Sequence, residues 1–414
     1  FLEGSARAYA PVGDWSVDGV WPIREVSTAD YKTRILVRRP SAASQFSGVV
    51  IVEWFNVSSG VDLDPDFGFL STEILREGHA WVGVTAQATA IESVGNGPFG
   101  PNAVGLLLWD PIRYASLQHP GDAYSYDIFS QVAATLRAPV DIDPLGGLRP
   151  QIILADGESQ SAFRLLTYVN AIHPEAGVYD GFLVHSRSGT GASLGDGFGG
   201  VPAPARVRID LDTPVFQFIT ETDLFGLGGG ELAFPGARQL DSDNVHTWEV
   251  TGTAHADAHY LASLAAQGNL QYDNFLDLSG VLSIVNTAPQ HLAMNAALHS
   301  LVTWVKDGTP PASAPPIETT EDTIVRDANG NALGGLRLPH IEVPIAVLSG
   351  EGPIQLSGRT VPFDTATLDA LYPDPTVYID AVRSAAQAAV EAGYLLAEDA
   401  ATIIAEAETN PPVD

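Results

Sequence analysis

Ser47–Trp54 (SGVVIVEW) is a nearly unbroken β-branched run. A strand that carries apolar side chains on both faces needs cover on both, and a parallel sheet with helices above and below supplies it. The neighbouring segments extend the pattern. Phe67–Glu77 reads as a helix closed by Gly78, and His79–Gln87 (HAWVGVTAQ) as the next central strand. A β–α–β succession argues for crossover helices and parallel pairing. Tyr31–Arg39 (YKTRILVRR) alternates polar and apolar residues and reads as a half-buried strand.

Further along, Tyr124–Leu136 reads as a helix, Gln151–Ala155 as a buried strand, Asp156–Ser161 as a tight turn and Ala162–Ile172 as a helix. Strands follow at Tyr179–His185, Pro214–Thr220 and Val245–Thr251, and a helix at His291–Lys306. Two irregular stretches, about 90–123 and 187–212, read as rim or lid insertions. Beyond the Pro310–Pro316 linker, Ile317–Pro339 reads as a hairpin turning at Asn329 and Gly330. Asp364–Ala407 reads as two or three Ala-rich amphipathic helices, with too little apolar surface to stand alone. The expected fold is α/β: a central, mostly parallel twisted sheet flanked by helices. One domain is expected over 1–414, its C-terminal extension from about 310 packed on the core.

Composition removes several classes of function. Fifty Asp and Glu face twenty Lys and Arg, for a net charge of −30, and the lysines are Lys32 and Lys306 alone. Such a surface repels nucleic acid and anionic lipid. No apolar run is long enough to predict a membrane-spanning helix. The absence of cysteine excludes thiolate nucleophiles, disulfides and Cys-based zinc sites. The chain starts at Phe1 with no basic-then-apolar leader, and its acidity suits secretion or a saline habitat, so a secreted or periplasmic protein is expected.

The chemistry centres on Gly157-Glu158-Ser159-Gln160-Ser161, between a buried strand and a helix. A nucleophile elbow needs that setting, with small residues two positions either side of the serine. The N–H of Gln160 then points to where an oxyanion forms. The base is expected after the last central strand, which selects His255 over its rival His259. The carboxylate is expected after the preceding strand, where Asp223 is preferred and Glu221 is the alternative. The order serine, acid, histidine is the one used by α/β-hydrolases. A second oxyanion donor is expected from the loop after Trp54, at the N–H of Asn56 or Val57. Trp109 and Tyr114, with Phe198 and Phe225, are candidates to line an acyl or alcohol pocket.

Two metal-like patterns fall short. His255 and His259 have the spacing of zinc proteases, but Ala256 stands where those enzymes need Glu. Asp62, Asp64 and Asp66 with Glu73 resemble part of a calcium loop, but Phe67 occupies its glycine position. These acids are expected to face water, and no metal or organic cofactor is expected.

The chain resembles bacterial α/β-hydrolase-domain proteins with a G-x-S-Q-S elbow. The segments that carry the likeness include VEWFNVSSG from 52, REGHAWVGVTAQ from 76, WDPIRYASLQHPGDAYSYDIFSQ from 109, ADGESQSA from 155, ETDL from 221, GTAHADAHY from 252, and GRTVPFD and ALYPD in the tail. The resemblance spans most of the chain. It implies an α/β-hydrolase fold with Ser159 as nucleophile and His255 as base, and a hydrolase of the carboxylesterase kind acting on a small-molecule ester. Lactone, amide or polyester cleavage, or acyl transfer on the same triad, is the alternative reaction. A non-catalytic binding protein on the same scaffold is the alternative class.

Overall fold

The computed structural model describes residues 1–95, 103–195, 200–272 and 280–413. In chain order its strands are β1 (Leu2–Pro11), β2 (Ile23–Thr33), β3 (Ile35–Arg38), β4 (Val49–Trp54), β5 (Ala80–Val84), β6 (Ile152–Glu158), β7 (Gly181–His185), β8 (Val215–Thr220), β9 (Val245–Val250), β10 (Ala346–Ile354) and β11 (Gly358–Pro362). The longer helices are α1 (Pro65–Arg76), α2 (Ser125–Arg137), α3 (Gln160–Thr167), α4 (Ala258–Tyr272), α5 (Gln290–Asp307), α6 (Thr365–Leu371), α7 (Pro375–Glu391) and α8 (Ala397–Thr409).

Among the described residues, β3 to β9 form one seven-stranded sheet in the order β3-β5-β4-β6-β7-β8-β9. β3 runs antiparallel to β5, and the other pairings are parallel. The expectation of a mostly parallel sheet is met. β4 leads by α1 to β5 on one side, whereas β6 leads by α3 to β7 on the other. The crevice at the carboxyl ends of β4 and β6 is therefore the switch point, where open α/β sheets bind their ligands.

The alternation along β4 divides the core. Val49 and Ile51 face a layer that includes Phe69 and Leu70 of α1, Met294 and Leu298 of α5, and Val382 and Ile403 of the tail. Val50, Val52 and Trp54 face Phe129 of α2 and Leu165 and Leu166 of α3. The tail helices thus cover sheet-side apolar surface, as their weak independent stability requires.

Several elements differ from the sequence reading. The 31–39 segment breaks at Arg34, its first part ending β2 and its second forming β3. β2 pairs with β1 in a hairpin that the pattern does not announce, because most of β2 between its ends is exposed and lacks an apolar face. β10 and β11 form a second hairpin without a sequence signal of its own. The 317–339 segment does turn at Asp327–Asn331, around Asn329 and Gly330, but it pairs through isolated bridges rather than a continuous ladder. The tail holds three helices, within the two or three that the sequence suggests.

Candidate active site

The end of β6 sets the geometry. Ser159 follows at φ 58 and ψ −120, a conformation that ordinary residues avoid, and α3 begins at once with Gln160. Its N–H donates to His185 O at 3.0 Å, and its carbonyl accepts from Phe163 N at 3.1 Å. A Cβ on Gly157 would lie 3.1 Å from Ser161 Cβ and 3.3 Å from its carbonyl oxygen. That contact is the physical reason for small residues on both sides of the serine.

Ser159 Oγ lies 2.8 Å from His255 Nε2. On the other side of the ring, Nδ1 lies 2.7 Å from Asp223 Oδ1. Asp223 follows β8 directly and is fully buried. Its second oxygen accepts from Thr220 N at 2.7 Å and Thr220 Oγ1 at 2.8 Å, which fixes the carboxylate. Burial disfavours a charged ring at His255, but the carboxylates of Glu158 and Asp223 outweigh it and raise His255 to about 10.

Glu221, the alternative acid, points elsewhere. Its oxygens accept from Arg326, Ser349 Oγ, Gly350 N and Gly252 N at 2.8–3.2 Å. It joins the turn before His255 to the C-terminal extension. His259 Nε2 donates to Gly68 O over 3.2 Å, and its ring stacks on His291, away from the serine.

The loop after β4 corrects one expectation. The main-chain N–H of Asn56 is committed to Leu63 O at 3.0 Å, so it is not a free oxyanion donor. Val57 N, the other candidate in that loop, faces Gln160 Oε1 at 3.5 Å. The Gln160 side chain is anchored by donating from Nε2 to Gln87 Oε1 at 2.8 Å. Val57 N–H thus donates to a side chain, over a longer distance than the Asn56 N–H does to Leu63 O. The Asn56 side chain acts elsewhere, with Nδ2 donating at 3.2 Å to both Glu158 O and Glu158 Oε2.

Sequence reasoning leaves Glu158 an unspecified motif position. In the structure its carboxylate is buried, with Oε1 2.9 Å from His255 Nε2. The one available signal is an acidic side chain next to a nucleophile whose base needs a neutral nitrogen.

The aspartates of the 62–66 loop do not face water as expected. Asp62 pairs with Arg34 at 2.8 Å and with Thr85, Asp64 pairs with Arg38 at 3.1 Å, and Asp66 Oδ1 lies 2.7 Å from His185 Nδ1. Cations and a histidine from the sheet draw these acids inward. Glu53 accepts from Asp66 N, Phe67 N and Trp81 Nε1, so a buried carboxylate caps the positive end of α1. Burial, then repulsion from neighbouring carboxylates (Asp156 and Asp66 on Glu53, Glu158 on Asp66, Asp66 on Asp156), holds Glu53, Asp66 and Asp156 well above the usual carboxylate range. One trio among the described residues, Glu73, Glu77 and His299, brings a ligand atom from each within 4.8 Å of the others. Arg76 already grips Glu73 there.

Trp109 and Tyr114 stack on each other at 5.8 Å and pack with Ile91, Leu106 and Leu117. Phe225 packs beside Ile219 and Phe234. These rings serve local clusters. Phe198 lies outside the described residues.

The C-terminal extension holds the histidine loop. Ala256 N donates to Leu356 O at 2.8 Å. Asn286 Nδ2 donates to Gly252 O at 2.7 Å and to Ser349 O at 2.9 Å. Leu336 bridges Val250 in parallel at the β9 edge.

A family model described as an alpha/beta hydrolase domain matches residues 1–405. No curated protein matches the chain. Similar solved structures include a serine hydrolase without a lid from Xanthomonas campestris, 14% identical, covering 64% of this chain and 92% of that one at a TM-score of 0.32. A poly(3-hydroxybutyrate) depolymerase from Bordetella parapertussis is 14% identical, with coverage of 60% and 89% and a TM-score of 0.33. The esterase Est22 is 15% identical, with coverage of 74% and 81% and a TM-score of 0.33.

Proposed function

Because the chain belongs to the alpha/beta hydrolase domain family, we propose that it is a serine hydrolase that cleaves carboxylic esters through an acyl-enzyme. The observation that carries this reading is the continuous line Asp223–His255–Ser159, with contacts of 2.7 and 2.8 Å, ending on a strained serine at the sheet's switch point.

The chemistry follows from the atoms. His255 Nε2 takes the Ser159 Oγ proton as Oγ attacks the ester carbonyl carbon. Nδ1–H donates to Asp223, which keeps the ring in the correct tautomer and stabilises the imidazolium. The N–H groups of Gln160 and Val57 receive the oxyanion, which replaces Gln160 Oε1 as the acceptor of the long Val57 contact. The tetrahedral intermediate expels the alkoxide, which takes the proton from Nε2 and leaves as alcohol. Water then repeats the sequence on the acyl-enzyme and releases the acid.

The test is hydrolysis of p-nitrophenyl esters of graded acyl length, then of lactones and amides, by wild type and Ser159→Ala. The expected result is ester turnover that falls by about 10³-fold or more in the variant. Preference for lactones or amides would redirect the substrate class. Undiminished ester turnover by Ser159→Ala would remove the nucleophile and the reading with it.

A further inference from the structure

The imidazole nitrogen that must accept the serine proton has a second neighbour. Ser159 Oγ lies 2.8 Å from His255 Nε2, and Glu158 Oε1 lies 2.9 Å from the same atom. Asn56 holds the other oxygen of Glu158 at 3.2 Å, and the carboxylate is buried, so it is seated rather than drifting at a surface. Nε2 carries either one lone pair or one hydrogen. A neutral ring with its hydrogen on Nδ1 turns a lone pair toward Glu158, which an ionised carboxylate opposes. A charged ring aims its Nε2 hydrogen at Ser159 Oγ and sets its positive charge 2.9 Å from the carboxylate, which makes the Glu158 contact an ion pair.

We propose that Glu158 is a positioning residue that stabilises the protonated His255 ring through this ion pair, so that the free enzyme rests as a latched imidazolium–carboxylate pair and becomes competent when the Nε2 proton leaves. This rests on the reading of Ser159 as nucleophile and His255 as base.

The surroundings favour the latch. The titratable groups around Glu158 and His255 are Asp66 of α1, His185 of β7, Asp223 after β8 and Tyr260 of α4. Burial lowers His185 to about 4, so that ring stays neutral and offers no counter-charge. Burial, then Glu158, pushes Asp66 well above its usual range. Among the described residues no Lys or Arg pairs with Glu158, and His255 is its ion-pair partner. The elevation of His255 to about 10 agrees with the contact. The same carboxylate also steadies the imidazolium that forms during acyl transfer. It therefore trades activity at low pH for rate at high pH.

The experiment compares the pH dependence of kcat/KM on a neutral p-nitrophenyl ester for wild type and Glu158→Gln, both as full chains. The acidic limb is expected to move down by at least about one pH unit in the variant, a tenfold gain in neutral ring. Its alkaline plateau is expected to fall several-fold. An acidic limb that stays in place overturns the proposal.

Titration of the His255 ring by ¹⁵N NMR in wild type supplies a reading that does not depend on how the variant folds. The ring is expected to remain protonated at pH 8, and titration near the ordinary histidine value of about 6.5 overturns the latch. If Ser159→Ala keeps ester turnover, the nucleophile reading fails, while the ring titration still reports on the Glu158 contact.

Discussion

Ser159 sits at φ 58 in a conformation that side chains with a Cβ resist. Strain of this kind amounts to about 1–3 kcal/mol and persists where surrounding structure enforces it. Here the enforcing contacts are the Ser159 N–H to His185 O and the close approach of Gly157 to Ser161. Glycine adopts positive φ without that strain, although it gains more freedom in the unfolded chain. Ser159→Gly is therefore expected to melt about 1–2 °C above Ser159→Ala, with both inactive. Calorimetry of the two variants checks this, and an equal or lower melting point for Ser159→Gly would show that the elbow stores no strain. Asp223 and Glu221 make the complementary point about identity. They stand two positions apart on one turn. One is aimed at His255 and the other at Gly252, Gly350 and Arg326.

At the scale of elements, the histidine loop depends on parts of the chain far from it in sequence. Asn286 links Gly252 to Ser349 of β10, and Leu356, at the turn between β10 and β11, receives Ala256. Losing a buried hydrogen-bond donor leaves carbonyls unsatisfied, at about 1–3 kcal/mol for each group. Asn286→Ala is expected to lower the melting temperature and to reduce kcat more than it changes KM, because the ring loses its fixed approach to Ser159. Thermal melts with steady-state kinetics test this, and unchanged kcat would detach the hairpin from the site.

The same elements explain what is legible in the sequence. β4 and β6 to β9 stand out because strands buried on both faces are largely apolar, with few polar residues among them. The elbow stands out because its turn restricts residue size. The β1–β2 hairpin does not, since its exposed residues follow no period, and β10–β11 is likewise mostly open to solvent beyond Gly350. Asn56 is suggested by its position after β4. Which N–H in that loop remains free depends on the bridge to Leu63, which residue types do not announce. Glu158 is invisible to motif reasoning because its role emerges only when His255 arrives from 97 positions away.

Across the whole molecule, one sheet gathers residues from distant segments at the ends of β4, β6, β8 and β9. The tail closes one side of that sheet, its Tyr378, Val382 and Ile403 sharing a core with Phe216 and Trp248. We propose on that ground that the tail and the sheet fold as one domain. Among the described residues no helix is long and apolar enough to cross a membrane. The net charge of −30 surrounds the molecule with a negative field, and we propose that it disfavours anionic esters. The most direct measurement for the central claim is peptide mapping of the intact chain after reaction with a fluorophosphonate. One adduct is expected, on the peptide that contains Ser159, formed at least about 10³-fold more slowly in His255→Ala. A folded wild-type protein that hydrolyses esters yet carries its adduct elsewhere, or none, would contradict it.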